Sequence, residues 1–393
     1  MAEKRKETTI WDYLSWRGDL LMTQDGFNEV DNLLLCIVSY IDFRRIARLR
    51  SFDPTYAMPM GEVCQQLTAE DEQRGLSNQE YIPVMRAMAA TPRFRDAKMF
   101  AFEDSYDEEK VMQFAAVSFL LPDNSVFLAY RGTDTTLVGW VEDFNMSFMT
   151  AVPAQLRAVD YAVEVAKKAP RRPLRVGGHS KGGNLAAYAA IHLPEKLQTR
   201  RLVAAYNNDG PGFNKEVLES AAFARVQDKI RTFVPESSAV GMLLEHTEDY
   251  IVIDSTTISL LQHEPLSWYV LGHLFIYLGQ RSEGAQLSDT VIREWLADLS
   301  TEERQEFVET VHSILSAGGK MKTLDDLREG GLGSGVALLK EYMGADEQKK
   351  KMLSELMGRL TASARGELRR TAEEKWKKAG EDVRQALDKL KKV

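Results

Sequence analysis

The 393-residue sequence predicts an α/β fold, a mostly parallel sheet with helices on both faces, followed by a helical C-terminal extension. Three observations carry this reading. Between residues 111 and 253, short β-branched and aromatic runs alternate with stretches at helical spacing. One strand-to-helix junction, near residue 180, is built from glycines around a serine. Beyond about residue 285 the β-formers become scarce and charged residues dominate. A content of 44% hydrophobic and 27% charged residues is that of a globular chain, long enough to bury a core without disulfide or metal staples.

The elements follow in order. Residues 31–41 are strongly apolar and precede Arg44, Arg45, Arg48 and Arg50, which reads as a buried helix with a solvated basic end. The rest of the first hundred residues reads as helical and loop-rich. Residues 111–121 and 126–130 are strands joined by the turn residues Pro122, Asp123, Asn124 and Ser125. Leu156, Val159, Val163 and Ala166 mark a helix over 155–168. Strands are expected at 174–177, 202–206, 230–234 and 250–253, with helices at 182–191 and 217–224. The apolar run 268–278 reads as helical, with His273 in the core, and is too short to span a membrane. The domain division is 1–285, an α/β domain with a helical N-terminal part, and 286–393, a charged helical extension.

Charge and cysteine content exclude several classes. The formal net charge is −8, which argues against a nucleic-acid partner gripped through cationic surface. Residues 346–393 are the exception, with 14 basic against 9 acidic residues. Apolar Leu353, Met357, Leu360, Val383, Leu387 and Leu390 there fit an amphipathic helix for self-association or peripheral membrane contact. Two cysteines, Cys36 and Cys64, rule out a disulfide scaffold and read as free thiols in a reducing compartment. With no apolar signal segment visible, the expected location is cytoplasmic. No metal or cofactor motif is present, and no cofactor is expected.

The most informative segment holds Gly178, Ser180 and Gly182 between an expected strand and an expected small-residue helix. That is the setting of a nucleophile elbow, in which a strained turn lifts a serine above the sheet edge. The helix N-terminus behind it favours a developing oxyanion. Such a serine needs a base and an orienting acid, and in α/β hydrolases they follow in the order Ser, Asp/Glu, His. His263, in a loop after the last strand, is the expected base, and His246 the alternative. His192 reads as a surface residue and His312 as part of the helical extension. Asp209, at the end of the 202–206 strand, is the expected acid, with Glu236 after the next strand as the alternative. The oxyanion hole is expected from the backbone N–H groups of Lys181 and Thr133.

These residues resemble a known family. Tyr130, Arg131, Gly132, Thr133 and Asp134, then Trp140 and Asp143, then the segment 178–186, look like class 3 (fungal-type) lipases. The closer resemblance is to the Mbeg-like family of bacterial relatives. It covers roughly residues 8–285 through segments 11–19, 27–32, 208–213, 238–242 and 262–265. It implies an α/β-hydrolase fold and a serine hydrolase mechanism, with Ser180 and His263 in the lipase positions, but no particular substrate; from the elbow chemistry the expected substrate is a small-molecule acyl ester, thioester or lipid. Two departures stand out. The lipase aspartate normally follows the later strand, where this chain has only Glu236, which favours Asp209 and leaves open a non-catalytic binding or scaffold protein. Lys181 replaces an apolar residue and reads as a surface side chain.

Overall fold

The computed structural model describes residues 8–133 (except 75), 146, 151–238, 250–257, 262–279, 281, 300 and 303. The 286–393 extension, His246, His312, Trp140 and Asp143 therefore lie outside the described residues or nearly so.

Among the described residues, nine strands form one sheet in the order β1-β2-β3-β4-β5-β6-β7-β8-β11. They are β1 Met58–Pro59, β2 Lys98–Asp107, β3 Met112–Leu120, β4 Val126–Tyr130, β5 Leu174–His179, β6 Leu202–Asn208, β7 Ile230–Pro235, β8 Tyr250–Ile253 and β11 Tyr277–Leu278. The five strands β4 to β8 run parallel. The flanks β1 to β4 and β8 to β11 pair antiparallel. A small ribbon, β9 Val270–Leu271 with β10 Leu274–Phe275, stands apart.

Side-chain alternation explains how both faces are covered. Along β4, Phe127 and Ala129 face a core built by the N-terminal helices α1 (Ile10–Trp16), α2 (Glu29–Val38) and α3 (Leu76–Ala90). Val126, Leu128 and Tyr130 face the opposite core, built by α4 (Pro153–Lys168) and α5 (Lys181–His192). Helix α2 is buried along its whole length. It starts on Asn28, whose side chain accepts from the Val30 and Asp31 N–H groups. Buried within it, Asp31 binds Arg93 and accepts from the Tyr13 hydroxyl at 2.7 Å. Asn28 Nδ2 closes this cluster by donating to the Tyr13 oxygen.

Several expectations need correcting. The N-terminal hundred residues include β1 and the first part of β2, the ten-residue strand. Its pairing with β3 shifts between Phe100 and Glu103, and Ala101 there takes a left-handed φ of 52°. That bulge breaks the alternation by which a strand is recognised. The 268–278 run is not a helix: β9 and β10 turn on Gly272, and His273 is exposed in that turn, its Nδ1 3.2 Å from Arg17 Nη2. The 217–224 helix is two single turns, Lys215–Leu218 and Ala221–Ala224, the second capped by the Ser220 hydroxyl. No helix among the described residues is long and apolar enough to cross a membrane.

Candidate active site

The site is assembled at the C-terminal ends of β5 and β6, the usual ligand edge of a parallel sheet. Ser180 follows β5 directly and is the N-cap of α5. Its backbone sits at φ 58°, ψ −135°, a region that non-glycine residues rarely adopt. A Cβ on Gly178 would lie 2.1 Å from the Gly182 carbonyl carbon, and one on Gly182 would lie 2.1 Å from the Tyr130 carbonyl oxygen. Only glycine lets β5, α5 and the end of β4 meet this closely. The strained turn is locked by hydrogen bonds from Ser180 N–H to Asn208 O (2.9 Å) and from Gly183 N–H to Ser180 O (2.8 Å).

Asp209 follows β6 in the same way. It too holds a left-handed φ, 55°, and its N–H donates to Phe233 O at 2.8 Å. His179 and Asn208 are register partners across β5 and β6, so Ser180 and Asp209 leave the sheet side by side. The loop after Asp209 is tied to α5: Asn184 Nδ2 donates to Pro211 O (3.2 Å) and Gly212 O (2.8 Å), and Asn184 Oδ1 accepts from Gln155 of α4. Beneath, Asn208 Nδ2 donates to Gly178 O at 2.9 Å.

His263 arrives from the loop between β8 and β9. Its Nδ1 donates to Asp209 Oδ2 at 2.6 Å, and Asp209 is 0% exposed. The loop is held around it by Gln262. Gln262 Oε1 accepts from the Ser237 N–H (2.7 Å), and the Gln262 carbonyl accepts from the Trp268 indole N–H (2.9 Å). Glu264 caps the turn Pro265–Ser267 and accepts from the Tyr81 hydroxyl at 3.3 Å. Burial pushes its carboxyl above the usual carboxylate range. The structure thus brings Asp209, not Glu236, to the histidine. Glu236 follows β7, its N–H donates to Ile253 O, and among the described residues it makes no hydrogen bond to His263.

Lys181 corrects the surface reading. It is 1% exposed, and its ammonium donates to the carbonyl (3.1 Å) and side-chain oxygen (2.9 Å) of Gln113 at the start of β3. Its backbone N–H stands at the first position of α5, next to Ser180. Thr133 is half-buried just beyond β4. The neighbouring Gly132 abuts the nucleophile, since a Cβ placed there would be 3.1 Å from Ser180 Cβ. Arg131 pairs with Asp104 at 3.1 Å. His192, the last residue of α5, is exposed and stacks on Tyr188.

Two residues that the sequence did not single out touch this arrangement. His179, buried one residue before Ser180, places its Nε2 2.7 Å from the His263 carbonyl oxygen and its ring 4.5 Å from the His263 ring. Burial and the neighbouring His263 hold its imidazole well below the usual histidine range, so it is neutral. Tyr40, two residues past α2, sets its hydroxyl 3.1 Å from both His179 Nδ1 and His179 O. His179 had a signal, its place beside the serine; Tyr40, far away in sequence, had none.

Among the described residues, no group of three or more acidic, histidine or cysteine side chains is placed to hold a metal ion. Five parallel strands, a left-handed serine between strand and helix, and a histidine–aspartate pair at the same sheet edge define an α/β-hydrolase fold. The chain belongs to the Mbeg1-like family, whose model matches residues 88–313. No curated protein matches it. Among solved structures, it is similar to the Rhizomucor miehei lipase propeptide complex, at 17% identity and TM-score 0.33, covering 44% of this chain and 70% of that one. It is also similar to the Lip2 lipase from Yarrowia lipolytica, at 15% identity and TM-score 0.35, covering 64% and 91%.

Proposed function

We propose that this protein is a serine hydrolase cleaving a small-molecule or lipid carboxylic ester or thioester through an acyl-enzyme on Ser180. The observation that carries the reading is the 2.6 Å contact of His263 Nδ1 with buried Asp209 Oδ2, beside a serine on a strained elbow. A carboxylate can only accept, so His263 Nδ1 carries the proton and Nε2 presents its lone pair. Ser180 Oγ attacks the substrate carbonyl carbon and its proton passes to His263 Nε2. The oxyanion is met by the Lys181 and Thr133 backbone N–H groups. When the tetrahedral intermediate collapses, Nε2 returns the proton to the departing alkoxide or thiolate. Water then repeats the sequence on the acyl-enzyme and releases the acid.

The Asp209–His263 contact favours this reading over a non-catalytic scaffold, whose ground was a histidine without an orienter. The free thiols, Cys36 buried and Cys64 half-buried, support a cytoplasmic site of action. The test is covalent labelling by a fluorophosphonate probe. Wild type should label; Ser180→Ala should not, and His263→Ala should label far more slowly. A folded wild type that does not label would reject the reading.

A further inference from the structure

Tyr40, His179 and the His263 carbonyl form a continuous hydrogen-bonded path beneath the nucleophile. Gly132, at the exit of β4, packs against the Tyr40 hydroxyl, which a Cβ on that glycine would meet at 2.2 Å. The Tyr40 hydroxyl reaches His179 Nδ1 at 3.1 Å. The His179 ring then reaches the His263 carbonyl at 2.7 Å through Nε2. Donor and acceptor roles along this path follow from the groups themselves. A carbonyl oxygen can only accept, so His179 Nε2 must carry a proton. In a neutral ring Nδ1 is then an acceptor, and the single Tyr40 proton is shared between it and the His179 carbonyl oxygen, both 3.1 Å away. Donation thus runs from Tyr40 to His179 and from His179 to the His263 loop.

We propose that Tyr40 and His179 are positioning residues that fix the main chain of the His263 loop, and with it the contact of the His263 ring with Asp209. The proposal deepens the hydrolase reading and, for its effect on rate, rests on it. Three features support it. His179 is anchored to the elbow by the chain itself, so the base loop is tied to the nucleophile's own strand. The ring of His179 packs at 4.5 Å from the His263 ring and at 6.0 Å from Trp268, which leaves the loop little room to shift. His179 is also neutral, so it sets no second positive charge beside a His263 that must become an imidazolium during the reaction. A charged neighbour at this distance would oppose that step. Neither residue touches the reacting atoms, and both act through His263.

The test is proton nuclear magnetic resonance of the full chain together with fluorophosphonate labelling, on wild type, His179→Gln, His179→Phe and Tyr40→Phe. The readout is the downfield Nδ1–H proton of His263, the signature of its short bond to Asp209. Wild type and His179→Gln, whose amide replaces the Nε2–H donor, should show the resonance. His179→Phe keeps an aromatic ring but no donor. It should lose the resonance and label at least about tenfold more slowly, the cost of roughly one hydrogen bond of positioning. A resonance that persists in His179→Phe, or is lost equally in His179→Gln, would overturn the proposal. So would its absence from wild type. If His179→Phe does not fold, Tyr40→Phe serves instead: the resonance should broaden by exchange, and an unchanged line would overturn the proposal. A resonance that behaves as expected in a wild type that never labels would uphold the positioning and reject the hydrolase reading.

Discussion

Asp209 and Ser180 both hold a positive φ, 55° and 58°, each one residue beyond the end of its strand. The pairing of His179 with Asn208 sets them side by side, and the 2.6 Å contact of Asp209 with His263 closes the arrangement. Asp209→Asn should therefore slow probe labelling by about 10⁴-fold with the fold intact, because an amide no longer enforces the Nδ1–H tautomer. Glu236→Gln should leave the rate close to that of wild type. Labelling kinetics of the two variants, side by side, check this. Equal losses would move the acid away from Asp209.

Lys181→Met should destabilise the protein by about 1–3 kcal/mol in urea unfolding. The variant keeps the apolar stem but leaves two buried Gln113 oxygens without the ammonium that serves them. A surface lysine would change stability by less than about 0.5 kcal/mol. A result in that smaller range would contradict the buried placement.

Arg93→Ala should cost about 3–5 kcal/mol, because it strands the Asp31 carboxylate in the core between α1 and α2. The double variant Arg93→Ala with Asp31→Asn should recover part of that loss, since the uncompensated charge is gone. Denaturant midpoints of the single and double variants measure both effects.

Stability should fall as pH drops below about 6.5, with His179 as one contributor. Its imidazole is held below its ordinary value in the folded protein and takes that ordinary value, near 6.5, once unfolded. Below that pH the unfolded chain binds the extra proton, so acid favours unfolding; above it the contribution is fully present. The slope is at most about 1.4 kcal/mol per pH unit for one proton. His179→Gln should flatten the dependence of the urea midpoint between pH 7.5 and 5.5 relative to wild type. Identical slopes would contradict a buried neutral histidine.

The centre of the sheet and the elbow were legible because their signals are local. β4 and β5 are short apolar runs, and Gly178 and Gly182 bracket Ser180 at a spacing that sterics demand. Asp209 and His263 were legible as strand-end and loop residues. Their distance from each other was not, because it depends on the β5–β6 register and on the Gln262 contacts. β2 was hidden by its bulge. The β9–β10 ribbon was hidden by an apolar composition that does not reveal the turn at Gly272, φ 70°. Lys181 misled because charge suggests exposure, whereas its partner Gln113 lies 68 residues away in sequence on a strand beside β4.

The sheet ends on both sides, among the described residues, in strands of only two residues, and β1 finishes on Pro59, which has no N–H to offer. Long open edges invite other chains to add a strand, and here β1 pairs with only Lys98 and Met99 of the ten-residue β2, whose bulged Ala101 N–H donates instead to Ser51 O. A two-residue edge strand ending in proline and a bulge in the strand beside it each make this edge a poor template for another chain.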